Sequence, residues 1–474
     1  MTTNRTQRWT LVLTALMSMM VALDLLVVTT ALPTLHEHLH ATLPELEWTV
    51  NGYTLSFAVL LMSGAAVGER FGRRRTLAAG LLVFAASSAA CALAPSVGWL
   101  IVARVVQGVG AALVMPTALS LLGVAFPPEQ RARALGIFGA ITGIAVLGGP
   151  VIGGAIAQGI AWQWIFWVNV PIGLAALPLV LTKLEESRGV RRAPDLIGVA
   201  LVTVAALGVV WGLVRSGSAG WGSLEVIVTL AGGILVALAF VGWELRASEP
   251  VLPMGMFTSR AFSAGNGAIF CLMGALAGAV FFMAQFLQVS LADSPLGAGL
   301  RLLPWTATVF FVAPMAGRQV SRIGERPLAA AGLAMQAIGM GWIGLVAGPH
   351  VAYGELVAPL VIAGAGASMA IPAIQNAVLG AVAPSEIGQA SGAFNTMRQL
   401  GGAFGVAVMA AAFAATGSYA GAHAFSDGFS AAMTISAGLS LAGAAAALLL
   451  PGREPAVARR PVPGDQAVAV AFDG

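Results

Sequence analysis

Fourteen long apolar runs divide this chain, and no other feature limits its fold so severely. They lie near residues 10–32, 49–68, 76–94, 100–123, 135–157, 163–182, 196–214, 224–243, 262–290, 299–317, 328–347, 354–380, 393–415 and 430–450. Each is about as long as the roughly 20 residues a helix needs to cross the hydrocarbon core. A backbone in lipid has no water to bond, so only helices and closed barrels span it. Runs of this length, without strict alternation, select helices. Of the 474 residues, 58% are hydrophobic and 9% charged, a balance that excludes a soluble globular class. The fold class predicted is an all-α polytopic membrane protein.

The basic residues orient the spans. With an inside N-terminus, one side receives Arg5, Arg8, Arg70, Arg73, Arg74, Arg75, Arg131, Arg133, Lys183, Arg188, Arg191 and Arg192. Arg246, Arg260, Arg318, Arg322, Arg326, Arg453, Arg459 and Arg460 follow on the same side. That is 20 of 24 basic residues; Arg215 and Arg301 fall opposite, and Arg104 and Arg398 lie in spans. The positive-inside rule then places both termini in the cytoplasm and the chain in the cytoplasmic membrane. The net charge of +4 carries no nucleic-acid meaning, because the placement of the cations accounts for it. The first run follows only two arginines, is too long for a signal peptide and shows no cleavage site, so it reads as a retained span. Cys91 and Cys271 both fall in spans, which speaks against a disulfide framework. The Pro- and Ala-rich tail after Arg453 is predicted to be disordered.

A shift of 256 residues superimposes the halves. GVGAALVMP recurs as GAGASMAIP, so that Gly108, Gly110, Ala111 and Pro116 fall on Gly364, Gly366, Ala367 and Pro372. Pro128, Gly136 and Phe138 fall on Pro384, Gly392 and Phe394, and at a slightly different offset Arg70, Gly72 and Arg74 echo in Arg322, Gly324 and Arg326. Both copies run the same way. A parallel repeat of this kind suits alternating access around a midplane site. Two six-span halves leave two further helices between them, an arrangement of 6 + 2 + 6. The expected units are 1–190, an inserted pair in 191–250, 251–452, and a cytoplasmic tail over 453–474.

Asp24 stands in the middle of the first run, while the other acids read as lying in loops, in tails or within about a turn of a span end. An ionised acid in hydrocarbon is costly and persists mostly where it is paired or moves ions. Its natural partner is Arg104 in the fourth run. Span 1 runs outward and span 4 inward, so at 1.5 Å per residue the two lie only a few Å apart in depth. Arg104 aligns with Leu360, and Asp24 has no counterpart near Val280, so the charges belong to the first half alone. Asp24 and Arg104 are therefore the expected proton-coupling pair, with a static ion pair pinning two spans as the alternative.

These residues sit inside longer motifs. LDLLVVTTALP holds Asp24 and Pro33, GERFGRRR joins spans 2 and 3, and RVVQGVGAA runs from Arg104 through Gln107. GGPVIGG covers Gly148 to Gly154; WQWIFWVNVPIG, DLIGVAL, QFLQ, GLRLLP and IGQASGAFNTMRQLGGAFG follow. In this set the chain resembles the fourteen-span drug:proton antiporters of the major facilitator superfamily over nearly its whole length. The resemblance implies a major facilitator fold and proton-driven export of lipophilic drugs or antibiotics, without enzymatic activity or a cofactor. It implies gating roles for Glu69, Arg70, Gly72, Arg73 and Arg74, and for Gly149, Pro150, Gly153 and Gly154. Gly149 and Gly153 form a small-residue face that would let the two halves approach closely, and Pro150 would bend the helix. Arg398 is implied at the inner gate or cavity, with loop anchoring equally open. The family usually carries Asp where Glu69 stands and Gly where Ala65 stands. Trp48 and Tyr53 match the family's Trp and Tyr positions, although Trp48 also suits an interfacial anchor.

A lipophilic substrate needs an apolar, aromatic cavity with a few polar handles. The candidates are Asn51, Tyr53, Phe57 and Gln107, with Phe281, Phe282, Gln285 and Gln288 from span 9. Phe310, Met315, Gln375, Asn376 and Arg398 complete the set. Span 10 carries no acid from Leu303 to Gly317, so monovalent, zwitterionic or neutral lipophiles are expected and dications are not. The expected partners are a small lipophilic substrate, protons and membrane lipid, for a monomer. A primary pump is excluded, since the only lysine, Lys183, follows Leu181 and Thr182 rather than a phosphate-binding glycine loop. A channel would leave the motifs without a use. An exporter of one metabolite (an antibiotic, amino acid or siderophore) or a proton symporter of the same fold stays open as the alternative. His36, His38 and His40 have irregular spacing for zinc and read as a solvated loop, with no metal site expected.

Overall fold

The computed structural model describes residues 5–188, 195–248, 250, 252, 254–383 and 386–452. Among these, fourteen helical segments are long and apolar enough to span a membrane. Spans 1 to 5 are Arg5–Leu39, Leu43–Phe71, Arg73–Ala92, Val97–Ala125 and Pro128–Gly159. Span 6 is built from Trp164–Trp167 and Asn169–Lys183; spans 7 and 8 are Leu196–Ala219 and Leu224–Glu244. Span 9 is Arg260–Val289, and span 10 is broken into Pro295–Arg301, Leu303–Thr306 and Thr308–Ile323. Spans 11 to 14 are Glu325–Val346, Tyr353–Gly380, Ile387–Thr416 and Ala422–Leu448. Arg191, Arg192, Arg453, Arg459, Arg460, Pro384 and the tail 453–474 lie outside the described residues.

Several helices extend beyond the apolar runs because their ends are capped. Span 2 starts at Leu43, six residues before its run, where Thr42 and Glu45 form a reciprocal capping box ahead of Pro44. This extension corrects the reading that Asp24 alone lies deep. Glu47 falls inside the helix and is 2% exposed. Span 1 likewise continues to Leu39, so His36 and His38 are helical rather than loop residues. Ser96, Ser223 and Ser259 cap spans 4, 8 and 9 through their hydroxyl oxygens, and Asp195 caps span 7 through its carboxylate.

The two copies pack alike. Spans 1 and 5, 2 and 4, 3 and 4, and 3 and 6 are paired; so are spans 9 and 13, 10 and 12, 11 and 12, and 11 and 14. Without a hydrophobic drive between helices in lipid, close backbone approach at small residues supplies the attraction. A Cβ on Gly110 would meet the Phe84 backbone nitrogen at 2.7 Å, and one on Gly366 would meet that of Gln336 at 2.6 Å. A Cβ on Gly108 would strike Tyr53 and Ser56 of span 2, and one on Gly364 would strike Trp305 and Thr308 of span 10. The 256-residue echo is thus a repeated helix contact. Gly72 and Gly324 turn the equivalent hairpins at φ 113° and 96°, in the region that favours glycine.

The arginine-rich loop between spans 2 and 3 marks one face of the bundle. At the opposite face the halves meet where span 5 touches the start of span 10 and span 1 touches span 9. A Cβ on Gly154 would overlap the Pro295 carbonyl, and one on Gly299 the Pro150 carbonyl. Gln288 Nε2 donates across the boundary to the Thr30 carbonyl at 3.0 Å. Spans 2 and 13 pack along the boundary, spans 7 and 8 pair, and span 7 lies against spans 2 and 13 with Trp211 5.7 Å from Trp48.

Candidate functional site

Asp24 and Arg104 meet in a closed polar cluster. Both side chains are fully buried and form an ion pair through Asp24 Oδ2 and Arg104 Nη1. Asp24 Oδ1 accepts from Gln107 Nε2 and from Asn169 Nδ2, each at 2.9 Å. Arg104 also donates to Gln107 Oε1 at 2.7 Å and, through Nε, to the Thr49 carbonyl at 3.1 Å. Ser88 Oγ accepts from Gln107 at 2.7 Å and from Asn169 at 3.4 Å. The guanidinium lies 4.3 Å from the Tyr53 ring centre and 5.8 Å from that of Phe166. Spans 1, 2, 3, 4 and 6 each contribute.

The hydrogen-bond roles fit an ionised carboxylate, since both oxygens accept and only donors face them. Charge-assisted bonds of this kind contribute about 1.5–3 kcal/mol each. The residue spacing explains the convergence: Arg104 and Gln107, three apart, project from adjacent turns of one face. Tyr53 closes the cluster from below and donates to the Val21 carbonyl at 3.3 Å. Arg104 Nη2 is buried without a hydrogen-bond partner, so one strong donor is left over. Protonation of Asp24 would remove the charge that compensates Arg104 and loosen spans 1 and 4 together.

The loop after span 2 is tied by charge. Arg73 binds the Glu69 carboxylate at 2.7–2.9 Å. Arg74 Nη1 donates to the Leu181 and Leu184 carbonyls at 3.2 Å, at the end of span 6. Glu186 accepts from the Arg74 and Arg75 backbone amides at 3.0 and 3.3 Å, where the helix dipole favours an anion. Its carboxylate sits against Gly72. Arg70 stacks on neighbouring Phe71 at 5.3 Å instead of joining this set.

In span 5 the glycines divide by face. A Cβ on Gly149 would meet Leu26 at 2.7 Å, and one on Gly153 would meet the Val27 carbonyl at 2.6 Å, so both pack on span 1 of the same half. The contact with the other half belongs instead to Pro150 and Gly154, four apart and one helical step round. This corrects the assignment of the inter-half contact to Gly149 and Gly153. The order of small residues alone did not say which of two adjacent faces turns inward.

The substrate candidates separate by depth. Asn51, Tyr53, Phe57, Phe281, Phe282 and Gln285 are buried toward the opposite face or midplane. Phe282 stacks on Phe413 at 5.0 Å and meets Phe281 edge-on at 4.9 Å. Gln285 donates to the Phe281 carbonyl at 2.9 Å and accepts from Tyr419, while Gln288 is bonded to Thr30 and Ala284. Phe310, Met315, Gln375, Asn376 and Arg398 are exposed, and all but the mid-span Phe310 lie toward the arginine-rich face. Asn376 donates to Glu325 at 2.7 Å. Arg398 is open to water yet deep in protein mass, the setting of a crevice rather than an outer surface. The two groups do not form one continuous lining here. At the opposite rim, burial pushes Asp293 above the ordinary carboxylate range while Arg301, 2.6 Å away, pulls it back. His36 stacks on Tyr419 at 4.8 Å, and His38 bonds the Thr34 carbonyl at 2.9 Å.

The family model described as Major Facilitator Superfamily matches this chain twice, over residues 14–287 and 265–472. The chain belongs to that superfamily. Among its relatives, the tetracenomycin C resistance and export protein of Streptomyces glaucescens is 36% identical over 84% of this chain and 74% of its own length. The multidrug resistance protein Stp of Mycobacterium tuberculosis is 36% identical over 87% of this chain and 77% of its own. A solved peptide transporter shares the fold at TM-score 0.68, with 16% identity over 93% of each chain. A D-xylose–proton symporter does so at TM-score 0.63 and 15% identity, over 92% of this chain and 95% of that one.

As a major facilitator the chain is a membrane transporter, not an enzyme. Two members of its polar cluster escaped the sequence reading. Asn169 is a single polar residue in the apolar run VNV, and Ser88 is the second of two serines in ASSAA. Their signal was the same one that exposed Asp24, a polar group where hydrocarbon is expected. An uncharged amide or hydroxyl costs less in a membrane than a carboxylate, so that signal was weaker.

Proposed function

We propose that this transporter is a proton-coupled antiporter exporting lipophilic drugs or antibiotics by alternating access. The observation that carries the reading is the closed cluster in which Asp24 is bound by Arg104, Gln107 and Asn169. The names of the antibiotic and multidrug resistance relatives support the substrate class. The arginine-rich face is the cytoplasmic one by the positive-inside rule, so both ends of the span array are cytoplasmic. On that orientation exposed Arg398, Gln375 and Met315 lie toward the cytoplasmic side, and the span 5–span 10 contact closes the outside.

In this cycle a deprotonated Asp24 stays locked to Arg104. Substrate entering from the cytoplasm parts the pair, spans 1 and 4 shift, and span 5 follows because Gly149 and Gly153 seat it on Leu26 and Val27, so the contact of Pro150 and Gly154 with span 10 opens. Asp24 then takes a proton from the outside, and the pair re-forms and releases that proton to the cytoplasm as the outer contact closes. No cofactor is needed, since one proton moving down 100 mV supplies about 2.3 kcal/mol, enough for roughly a 50-fold substrate gradient. Of the gating residues, Glu69, Gly72, Arg73 and Arg74 hold the cytoplasmic ends of spans 2, 3 and 6 as one body, and Arg70 lies beside them on Phe71.

The test is transport of ethidium into inside-out proteoliposomes under an imposed pH difference. Wild-type protein builds a gradient; Asp24→Asn abolishes it while still folding, as judged by a single size-exclusion peak. A variant that still concentrates ethidium in response to the pH difference would refute the coupling assignment. Flux with the proton in place of against it would favour a symporter.

A further inference from the structure

Glu47 is a second buried carboxylate, and the cycle above does not use it. It lies in the second turn of span 2, toward the face opposite the arginine-rich loop, with 2% of its surface exposed. Its Oε2 is buried without a hydrogen-bond partner. One turn further along the same helical face, Asn51 is fully buried, and neither its amide oxygen nor its nitrogen has a partner. Two neighbouring side chains with buried, unpartnered polar atoms are what an interface looks like when it has closed over groups that are solvated in another state.

The closing elements come from the second half. Tyr419, in the connection between spans 13 and 14, donates to Gln285 of span 9 and stacks on His36 of span 1 at 4.8 Å. Leu46 and Val50, on either side of Glu47 along span 2, share one buried apolar cluster with Phe286 and Phe413 of the second half, and Tyr419 packs against that cluster. Burial pushes the Tyr419 hydroxyl far above its usual range, and the Glu47 carboxylate adds to that push. Among the described residues, His36 of span 1 stacks on Tyr419, and Arg104 of span 4, paired with Asp24 of span 1, reaches span 2 at the Thr49 carbonyl. Arg104 is engaged by Asp24 and by the Thr49 carbonyl, and forms no ion pair with Glu47. An ionised carboxylate enclosed without a counter-ion carries a penalty that a neutral one avoids.

We propose that Glu47 is a conformation-gated proton site on the face opposite the arginine-rich loop, neutral while Tyr419 and Gln285 close over it and ionised once the halves part. The step is a simple proton exchange with water on that face. An O–H bond forms on the carboxylate as the interface closes, with the proton delivered by hydronium. On opening, that bond breaks and water takes the proton. Closure of this face then carries a proton of its own, separate from the one on Asp24.

The test needs no substrate and removes the first proton site. Gly98→Cys and Gly354→Cys place spin labels at the opposite-face starts of spans 4 and 12, where an added Cβ meets nothing. Cys91→Ala and Cys271→Ala clear the native thiols, and Asp24→Asn silences the first carboxyl. The full chain in lipid nanodiscs is followed by pulsed electron-spin distance measurement from about pH 5 to about pH 9, spanning the range a buried carboxyl can reach. The expected result is that the ratio of closed to open populations falls at least about tenfold as pH rises, the tenfold change per unit that one proton gives. Adding Glu47→Gln should hold the short distance at every pH, and Glu47→Asp should keep the transition. A transition that survives Glu47→Gln, one that disappears with His36→Gln instead, or a parent protein without any pH response would overturn the proposal. Because the parent already lacks the Asp24 carboxyl, these outcomes are independent of the coupling role proposed for Asp24.

Discussion

In the first half, Arg104 of span 4 reaches Asp24 of span 1 through a lattice of amides and hydroxyls. In the second half, the equivalent of Arg104 is Leu360, fully buried, and the region of span 9 near Val280 is backed by the rings of Phe281, Phe282 and Phe413. The helix contacts around these two places are the same. Gly110 and Gly366 seat equivalent helix pairs, as do Gly108 and Gly364. A duplicated scaffold has thus kept its packing in both copies, while at these two places only the first copy holds a buried ion pair. The second copy fills the equivalent place with stacked and edge-on rings, and the proposed coupling rests on the first copy alone.

The strongest way to break this comparison is to give the first half the residue of the second. Arg104→Leu should strand Asp24 in a buried site, and removing one partner of a buried pair costs about 3–5 kcal/mol. Thermal unfolding in detergent measures the loss. The double change Asp24→Leu with Arg104→Leu should regain most of that stability, because well-packed apolar groups replace such pairs without penalty. It should stay unable to couple ethidium export to a pH difference. A double variant as unstable as the single one would mean that the polar lattice, and not the compensated charge, holds spans 1 and 4.

Asn169→Leu is the next test, since it removes one donor to Asp24 and leaves the ion pair. A hydrogen bond to a charged group contributes about 1.5–3 kcal/mol, and a loss of that size is expected in the same unfolding assay. The change should be smaller than for Arg104→Leu; an equal loss would place Asn169 at the centre of the cluster. Gly110→Ala and Gly366→Ala follow. Each pushes a methyl against backbone, and overpacking of that kind costs about 1–3 kcal/mol. If the scaffold is truly shared, the two should differ by less than about 1 kcal/mol, a margin within the scatter for single contacts.

The architecture was open to reading because it rests on long-range regularities. Twenty apolar residues between arginine-bearing loops have one physical solution, and the Gly–Pro order of span 4 repeats visibly in span 12. The Asp24–Arg104 pairing was also legible, since two charges in hydrocarbon at similar depth have few other partners. What escaped depends on rotation about a helix axis. Gly149 and Gly154 differ by one residue beyond a full turn, yet one packs on span 1 and the other on span 10. Glu47 was misplaced for a related reason. Apolarity starts at Thr49, but the capping box at Thr42 starts the helix a turn and a half earlier and carries the acid into the interface. Phe281 and Phe282 were legible as aromatic but not as core, because a ring lining a cavity and a ring filling one have the same sequence.

The smallest expected effect sharpens the comparison at the loops. In the first half Glu69 at the end of span 2 pairs with Arg73 at the start of span 3, and in the second half Glu325 accepts from Asn376 of a neighbouring span. A partly exposed ion pair of this kind is worth only about 0.2–1 kcal/mol. Glu69→Gln should therefore leave unfolding almost unchanged, and any fall in ethidium export should reflect gating alone. Glu325→Gln keeps a hydrogen-bonding oxygen toward Asn376, so it too should be near neutral in stability. The halves are distinguished by transport: a loss in Glu69→Gln without one in Glu325→Gln would extend the functional asymmetry from the buried pair to the loops. Equal losses would confine that asymmetry to the Asp24 cluster, with both hairpins acting as a symmetric pair of hinges.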